Sequence, residues 1–302
     1  MRMLQLISRA VLDCAYLIRS RHRWAIKVRL LLEYIRLTLK LIIFARARDS
    51  GEERVLSYRV RHFGRASVHF LFREVFIRSD YLFQTANERP VIFDCGANIG
   101  MATLFFKWLY PHSEVHAFEP DPRVFQVLAE NVARNRLCDV HLHNVALCDK
   151  NGDVDFFVPL GTEGSPVMSL VAGRIPEADA RRIQVTACML SAFVESKEVD
   201  FLKLDVEGSE DLVLRDLRAS GTLQRVRELV IEYHHNLQGR SGGLGGFLQL
   251  LHESGYHYQL DATWRGGSGP AEFQDILVRA TRATRCRSSR AADEMTGTKA
   301  VA

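Results

Sequence analysis

Short apolar runs alternate with helix-like patterns over residues 90–255 of the chain. Apolar runs bounded by polar or turn-forming residues predict strands at 91–95, 115–118, 140–146, 201–206 and 228–233. Apolar residues that recur at three- and four-residue steps predict helices at 99–109, 122–135, 209–217 and 246–254. Strands and helices that alternate in this way form a mostly parallel sheet with helices on both faces.

Two parts of the pattern depart from strict alternation. Residues 256–260 and 275–278 predict two strands with no helix between them, so we expect one antiparallel strand near the C-terminus. After the third strand, Asn151 and Gly152 form a hairpin turn signal, residues 154–158 predict an extra strand, and an irregular stretch follows at 161–176. The predicted fold is therefore α/β and Rossmann-like, with a sheet that differs from that of dehydrogenases.

The pattern divides the chain into four parts. Residues 1–50 predict a basic amphipathic helical extension, with an apolar face formed by Leu30, Leu31, Tyr34, Leu37, Leu41 and Phe44. Residues 51–89 form a lead-in segment with strands expected at 55–60 and 67–72, and we expect this segment to cover the acceptor side of the main domain. Residues 90–280 form that domain, and residues 281–302 lack periodicity and are expected to be disordered.

Positive charge is concentrated in the first 50 residues. The formal net charge of the whole chain is +4, which is too small an excess to predict nucleic-acid binding. The longest unbroken apolar run in the extension is 41–45, whereas a spanning helix needs about 20 apolar residues. We expect these helices to pack on the main domain or on a partner subunit, and peripheral contact with anionic lipid is the alternative.

The cysteines indicate a reducing compartment. Six cysteines are scattered along the chain, and they include neither a CxxC pair nor a thiol at zinc-ligand spacing from a histidine. We therefore expect structural thiols and a cytoplasmic location, peripheral to the membrane if the extension binds lipid. The sequence leaves the oligomeric state open.

The first chemical motif is a strand that ends in an acid and runs into a glycine-bearing turn, VIFDCGANIG at 91–100. Gly96 permits a tight turn close to a ligand, Asn98 tolerates a left-handed conformation, and Gly100 lets the next helix pack tightly. The spacing differs from the GxGxxG of dinucleotide enzymes. Asp94 would repel a pyrophosphate but attract the sulfonium and ammonium groups of S-adenosylmethionine. The motif therefore favours that cofactor, with a plain strand–turn–helix connection as the alternative.

The next two strand ends extend this site. Glu119 ends the second strand, nineteen residues after Gly100, where an acid can accept hydrogen bonds from both hydroxyls of a ribose. Asn144 and Ala146 end the third strand, so the topology predicts that they border the adenine. An ordinary solvated acid at a strand end remains the alternative for Glu119.

Acids and a histidine follow the fourth and fifth strands. Asp205 and Glu207 in KLDVEGSE could position an acceptor, take a proton or hold a divalent cation. Glu232 and His234 in IEYHHN end the neighbouring strand and should reach the same cleft. His234 is a candidate general base because its usual pKa is near neutrality, although a structural histidine is the alternative. We expect Ser209 to cap the helix that follows.

Four segments together resemble the FkbM-type methyltransferase family over about half the chain: FDCGANIGMATLFF, AFEPDP, VDFLKLDVEGSEDLVL and LVIEYHHN. Ser169 also resembles the family's serine after the extra hairpin. The resemblance implies a class I methyltransferase sheet and O-methylation of a sugar, glycan or natural-product hydroxyl with S-adenosylmethionine. It also implies roles for individual residues. The methionine part of the cofactor would be held by Asp94, Gly96, Asn98 and Gly100, and its ribose by Glu119. The acceptor would face Asp205, Glu207 and His234.

The expected mechanism is an in-line transfer to a hydroxyl oxygen. The oxygen has to lie about 3 Å behind the methyl carbon and lose its proton. We expect His234 or Asp205 to take this proton and Glu207 and Glu232 to hydrogen-bond the acceptor, with no metal; a version with Asp205 as a metal ligand is less favoured. Two other functions stay open: a non-catalytic cofactor-binding scaffold and, less favoured by the turn spacing and the antiparallel strand, a Rossmann oxidoreductase.

Overall fold

Helices and strands alternate through the part of the chain that the computed structural model describes, which is residues 2–20, 22–44, 50–161, 168–172, 174–237, 243–262 and 274–282. The helices are α1 (Arg2–Arg19), α2 (Trp24–Ile43), α3 (Arg65–Phe72), α4 (Met101–Leu109), α5 (Pro122–Arg134), α6 (Ser191–Val194), α7 (Glu210–Ala219) and α8 (Gly243–Glu253). A π-helical turn (Arg73–Arg78) continues α3. The strands are β1 (Gly51–Val55), β2 (Tyr58–His62), β3 (Val91–Cys95), β4 (Glu114–Phe118), β5 (Val140–His143), β6 (Ala146–Cys148), β7 (Gly152–Pro159), β8 (Ala180–Met189), β9 (Val199–Leu204), β10 (Val226–His235), β11 (Tyr256–Ala262) and β12 (Gln274–Arg282).

The central sheet has seven strands in the order β11-β12-β10-β9-β3-β4-β5. The five strands from β5 to β10 run parallel, and β12 runs antiparallel to both β10 and β11. This arrangement confirms the predicted α/β fold with one antiparallel strand near the C-terminus. The chain order reverses between β3 and β9, which is where an open α/β sheet places its ligand cleft.

The sheet separates two apolar cores because side chains alternate across each strand. Ile92 and Phe201 pack on one side with Phe105 and Phe106 of α4. Phe93, Leu202 and Leu229 pack on the other side with Val213, Leu214 and Leu217 of α7. Strands buried on both faces contain unbroken apolar runs, and such runs at 91–93, 201–202 and 229–231 predict β3, β9 and β10.

The predicted hairpin at Asn151 and Gly152 is wrong. The flanking strands β6 and β7 do not pair with each other, because β8 lies between them, parallel to β6 and antiparallel to β7. Asn151 still turns the chain, and its side-chain oxygen accepts a hydrogen bond from the backbone N–H of Met189 in β8 (3.1 Å). The predicted third strand at 140–146 is likewise split, since β5 ends at His143 and Ala146 begins β6. Of the predicted irregular stretch, residues 162–167 and 173 lie outside the described residues.

The lead-in segment contains a hairpin and a helix in place of two predicted strands. The chain turns at Leu56, which has a φ of 53°, and Val55 pairs with Tyr58 across the turn between β1 and β2. The second predicted strand, 67–72, lies within α3. Val68 and Phe72 are both buried and lie four residues apart, so their spacing fits one face of a helix. The apolar run was too short for its periodicity to distinguish a helix from a strand.

The N-terminal helices pack on this lead-in segment. Leu30, Tyr34 and Leu37 of α2 are buried in the core on the α4 side of the sheet. The Tyr34 hydroxyl donates a hydrogen bond to Asp13 of α1 (2.5 Å), and Arg73 of the π-helical turn pairs with the same carboxylate (2.7 Å). Among the described residues, none of the helices combines the length and the apolar character that crossing a bilayer demands. The predicted disordered tail begins inside β12, and its residues 283–302 lie outside the described residues.

Candidate active site

A cleft opens at the carboxyl ends of β3, β4, β9 and β10, on both sides of the point where the strand order reverses. It brings together eight of the predicted site residues, namely Gly96, Asn98, Glu119, Ala146, Asp205, Glu207, Glu232 and His234. The other three, Asp94, Gly100 and Asn144, do not line the cleft and support its walls from behind. The sheet topology thus brings residues that are spread over about 140 positions of the chain to one edge of the sheet. The sequence could suggest this arrangement only through the predicted order of the strands.

The Gly96 turn brings β3 against β9. Gly96 has a φ of +84°, and a Cβ atom on it would lie 1.8 Å from the carbonyl oxygen of Asp205. The backbone N–H of Asp205 in turn donates to the carbonyl of Cys95 (3.0 Å). We expected a glycine here to let the backbone approach a ligand, but the close approach in the structure is between two segments of the chain itself.

Below this turn, Lys203 holds two carboxylates. Its ammonium group lies 3.5 Å from Asp94 Oδ1 and 3.3 Å from Asp205 Oδ2, and it donates to the carbonyl of Gly96 (2.8 Å). Asp94 is fully buried, and its other oxygen accepts a hydrogen bond from the Thr103 hydroxyl (2.7 Å). Burial lowers the pKa of Lys203, but the attraction of Asp205 and Asp94 outweighs this effect and holds the pKa above its usual value. Lys203 therefore acts as a cation that sets the positions of both acids.

Glu119 joins the loops that follow β3 and β4. One carboxylate oxygen accepts from the backbone N–H of Asn98 (2.9 Å) and the other from that of Asp121 (3.0 Å). Asn98 has the left-handed φ of 50° that its position predicts. Burial raises the pKa of Glu119 to about 8. Glu119 is thus a rigidly held hydrogen-bonding group on the wall of the cleft.

Asn144 and Gly100 have supporting positions. The amide of Asn144 donates to the carbonyls of Glu119 (2.8 Å) and Pro120 (3.0 Å), which fixes the strand end that carries Glu119. Gly100 lies at the N-terminus of α4, where a Cβ would come within 2.7 Å of Leu128 in α5. Ala146 lines the cleft itself, beside Phe118 and Leu147, and these side chains form an apolar wall.

Glu207 is held in an unusual backbone conformation. Its φ is 55°, which is uncommon for a residue other than glycine. The buried hydroxyl of Ser169 donates to the Glu207 carbonyl, and Arg174 pairs with the carboxylate (2.9 Å). Burial raises the pKa of Glu207 above its usual value, against the lowering effect of its hydrogen bond with His234.

His234 lies between two glutamates. Its Nδ1 is 2.8 Å from Glu210 Oε1, and its Nε2 is 3.2 Å from Glu207 Oε2. Burial lowers the pKa of this imidazole, but the charge of Glu210 and the hydrogen bonds to both glutamates outweigh it and hold the pKa well above its usual value. Ser209 does not cap α7 with its side chain, which donates instead to the carbonyl of Leu147 (3.0 Å).

Sequence analysis did not single out Glu210. Its carboxylate is buried and accepts from both His234 and the backbone N–H of Gly208 (2.9 Å). A glutamate two residues after the glycine of a strand-end turn was a usable signal for this role. Lys203 had a comparable signal, because it is a charged residue between the apolar residues Leu202 and Leu204 of β9.

More acids complete the cleft around His234. Burial and then the charge of Asp205 raise the pKa of Glu232 well above its usual value. Asp275 of β12 pairs with His234 in the sheet register, and its Oδ1 lies 3.9 Å from His234 Nε2. Two sets of ligand atoms, one with Asp205, Glu207 and His234 and one with Glu232, His234 and Asp275, each lie within 4.8 Å of one another. The predicted absence of a metal stays a prediction.

The opposite wall comes from the lead-in segment. Phe70 and Leu71 of α3, Glu74 and Val75 of the π-helical turn, and Tyr81 all line the cleft. Burial raises the pKa of Glu74 to about 8. The Tyr81 ring lies 5.3 Å from the Lys203 ammonium. Sequence analysis expected this segment to cover the acceptor side but named none of these residues, and π-helical turns often occur at functional sites.

Comparison with known proteins settles the family. Residues 94–258 match the model of the methyltransferase FkbM domain, and this range contains both the turn of Gly96 and the glutamates around His234. The chain belongs to the FkbM methyltransferase family. Membership of this family and the position of β12 in the sheet both disfavour the oxidoreductase alternative.

Relatives of this FkbM-family chain are named for different acceptors. It is 30% identical to 31-O-demethyl-FK506 methyltransferase FkbM of Streptomyces tacrolimicus, over 65% of this chain and 85% of that one. It is also 30% identical to the hexuronic acid methyltransferase AglP of Haloferax volcanii (51% and 59% of the two chains) and to the 2-O-methyltransferase NoeI of Sinorhizobium fredii (48% and 63%). A crystal structure of methyltransferase FkbM from Methylobacillus flagellatus aligns with a TM-score of 0.42 and 15% identity, covering 71% of this chain and 54% of that one.

Proposed function

We propose that this FkbM-family protein transfers a methyl group from S-adenosylmethionine to a hydroxyl of a sugar, glycan or natural product. The observation that carries the proposal is the cluster of carboxylates at the strand ends, which surrounds His234 beside the glycine turn. The relatives named for FK506, hexuronic acid and 2-O-methylation support a hydroxyl acceptor.

The polar lining of the cleft fits this methyl donor. Six acids line the cleft (Glu74, Glu119, Asp205, Glu207, Glu232 and Asp275) together with three basic residues (Arg174, Lys203 and His234). Carboxyl groups, whether ionised or neutral, can hydrogen-bond the ammonium group and the ribose hydroxyls of this donor. Asp94 Oδ1 is buried behind the turn, where it has no hydrogen bond in the described structure and its ion-pair partner is Lys203 at 3.5 Å.

Residues of this chain then divide among the parts of the donor. Gly96 and Asn98 would lie along its methionine part, Glu119 would accept from its ribose, and Ala146 and Phe118 would border its adenine. When bound, the donor supplies an electrophilic methyl group on a positively charged sulfur. The protein has only to orient an acceptor oxygen, exclude water and remove one proton.

Glu207 is the group best placed to remove that proton. A general base works best when its pKa is near the working pH, and burial raises the pKa of Glu207 toward that range. His234, as an imidazolium hydrogen-bonded to Glu210, would stabilise the ionised form of Glu207. This assignment replaces His234 as the base, because the two glutamates that contact its ring nitrogens favour its protonated form.

Glu232 and Asp205 would orient the acceptor. The raised pKa of Glu232 favours its neutral acid, which can donate a hydrogen bond to an acceptor oxygen. Asp205 is anchored by Lys203 and offers a fixed acceptor for the reacting hydroxyl or its neighbour. Together the two groups would recognise a polyol, on which neighbouring hydroxyls both donate and accept.

Two measurements on the full-length chain test this function. Calorimetry with S-adenosylmethionine and with its demethylated product should show uptake of both. Labelled methyl transfer should then be measured with uronic acids, simple sugars and macrolide alcohols, and again after exhaustive chelation, which should leave the rate unchanged. A folded chain that takes up neither form of the donor would refute the proposal, whereas uptake without transfer to any acceptor would favour a cofactor-binding scaffold.

A further inference from the structure

Helix α2 exposes a second apolar stripe along its outer face. The stripe consists of side chains that are between 45% and 69% exposed, namely Trp24, Val28, Leu32, Ile35, Leu39 and Ile43. They recur every three or four residues, so they form one line along the whole helix. Helix α1 adds to this surface, because Val11, Leu12, Tyr16 and Ile18 are also exposed.

Packing of the fold does not explain this stripe. The opposite face of α2 carries Leu30, Tyr34 and Leu37, and these are the residues that the structure buries against the domain. Single exposed apolar residues are ordinary, but a contiguous row of them marks a surface that binds something. The sequence pattern identified the buried face of α2 and gave no indication of this second one.

The charge around the stripe indicates what binds there. The first 50 residues contain eleven Lys and Arg against three acids. Of these acids, Asp13 and Glu33 are both engaged in ion pairs within the fold. Arg19, Arg23 and Arg29 are exposed, and the Lys27 ammonium lies 5.0 Å above the Trp24 ring at the start of the stripe. An apolar stripe bordered by cations suits the interface of an anionic lipid bilayer.

We propose that α2 lies flat on an anionic membrane surface, with its outer stripe inserted among the lipid chains and its arginines at the headgroups. A second copy of the chain is a poorer occupant, because pairing this face with itself would bring like charges together. Residues 283–302 are also a poor occupant, because Met295 and Val301 are their only large apolar residues. The helix lies on the surface and does not cross the bilayer, since none of the helices among the described residues is long and apolar enough to span it.

Vesicle binding by the full-length chain tests the proposal. The protein should sediment with phosphatidylcholine vesicles that contain phosphatidylglycerol, and at least tenfold less with phosphatidylcholine alone. The double variant Leu32→Ser/Leu39→Ser should reduce binding to the anionic vesicles at least tenfold. Arg23→Gln and Arg29→Gln should each reduce it several-fold, and salt should reduce it further. Tryptophan fluorescence should shift to shorter wavelength on binding, and Trp24→Phe should remove that shift.

The chain offers a matched control. Leu160 and Leu260 are 57% and 47% exposed and lie outside the N-terminal helices, so Leu160→Ser/Leu260→Ser should bind vesicles as the parent does. Equal loss of binding in both double variants would overturn the proposal, as would binding that is indifferent to lipid charge. A concentration-dependent dimer in sedimentation velocity that Leu32→Ser/Leu39→Ser abolishes, without vesicle binding by the parent, would assign the stripe to a second copy instead.

Discussion

Glu210 Oε1 lies 2.8 Å from His234 Nδ1, and both side chains are buried, with His234 on the wall of the cleft and Glu210 behind it. The other ring nitrogen of His234 faces Glu207, so the imidazole links a fully buried carboxylate to one that lines the cleft. Glu210 has no place on the wall of the cleft. It is therefore a positioning residue, which acts on the proposed reaction through His234.

Replacing Glu210 should change the pH dependence of the proposed reaction. In Glu210→Gln the imidazolium loses its main stabilising charge, so the pKa of His234 should fall and the alkaline limb of the kcat profile should move to lower pH. We expect kcat to fall by about 10- to 100-fold, with donor affinity from calorimetry nearly unchanged. Asp211→Asn, on the next residue of α7, is the control. A lower rate with an unmoved pH profile would show that Glu210 is merely structural.

Replacing Glu207 should remove the proposed base. We expect Glu207→Gln to lower kcat by about 10²- to 10⁴-fold while donor affinity stays within about threefold, because a general base acts on the acceptor's proton. Glu195 is a matched control, since it is exposed and also has a positive φ, of 42°. Glu195→Gln should keep full activity. Full turnover by Glu207→Gln would transfer the role to Asp205 or His234.

Lys203 should be essential to the fold because of the acid beneath it. Lys203→Met leaves Asp94 buried without its cation, and removal of one partner of a buried pair costs about 3–5 kcal/mol. The double variant Lys203→Met/Asp94→Asn should recover part of this loss in urea unfolding. Lys197→Met, in an exposed loop, should change the free energy of unfolding by less than about 0.5 kcal/mol. If the double variant instead lost as much free energy of unfolding as the two single variants together, Lys203 and Asp94 would not stabilise each other.

Gly96 and Gly221 form a natural pair for testing the close contact at the turn. Both have positive φ, but a Cβ at Gly96 meets the Asp205 carbonyl at 1.8 Å, whereas a Cβ at Gly221 has no atom within 4 Å. Gly221→Ala should cost only backbone strain of about 1 kcal/mol. Gly96→Ala should cost several times more, or prevent folding, in urea titrations. Equal losses would mean that the contact with Asp205 relaxes without cost.

The free energy of unfolding should fall as pH rises from 4.5 toward 8. Burial raises the pKa of Glu119 from 4.5 to about 8, so in this range the folded chain keeps a proton that the unfolded chain has released. The fully buried carboxyl therefore contributes a slope of up to about −1.4 kcal/mol per pH unit. Glu74 acts in the same direction. In Glu119→Gln the free energy of unfolding, measured with urea, should fall less steeply with pH, by the equivalent of about one bound proton. Parallel pH profiles for the parent and Glu119→Gln would contradict this.

The sequence predicts the elements that are buried on both faces and loses accuracy where one face is exposed. Strands β3, β9 and β10 each contain an unbroken apolar run that is buried. Helix α5 has its predicted cap, since Asp121 accepts from the backbone N–H groups of Arg123 and Val124. Strand β8 was not predicted because its outward residues are polar or charged and only Val185 and Ala187 are buried. In the lead-in segment, the short apolar run at 67–72 predicts a strand, whereas in the structure it lies within α3.

Within the site, residues that line the cleft were easier to predict than residues that hold them. Glu207, Glu232 and His234 follow directly from strand ends in a known sheet order. Lys203 and Glu210 act through contacts with residues 107 and 24 positions away, and no local pattern records such distances. Tyr81 and Glu74 reach the cleft only because the lead-in segment folds over it.

Strand β12 comes last of the seven in chain order but occupies an interior position between β10 and β11. While the polypeptide emerges from the ribosome, β10 and β11 therefore have no partner on their facing edges until the final strand has been made. The same strand supplies Asp275 opposite His234, so the acidic end of the cleft is finished in the same step. Synthesis must have passed β12 before this protein has either a continuous sheet or a whole candidate active site.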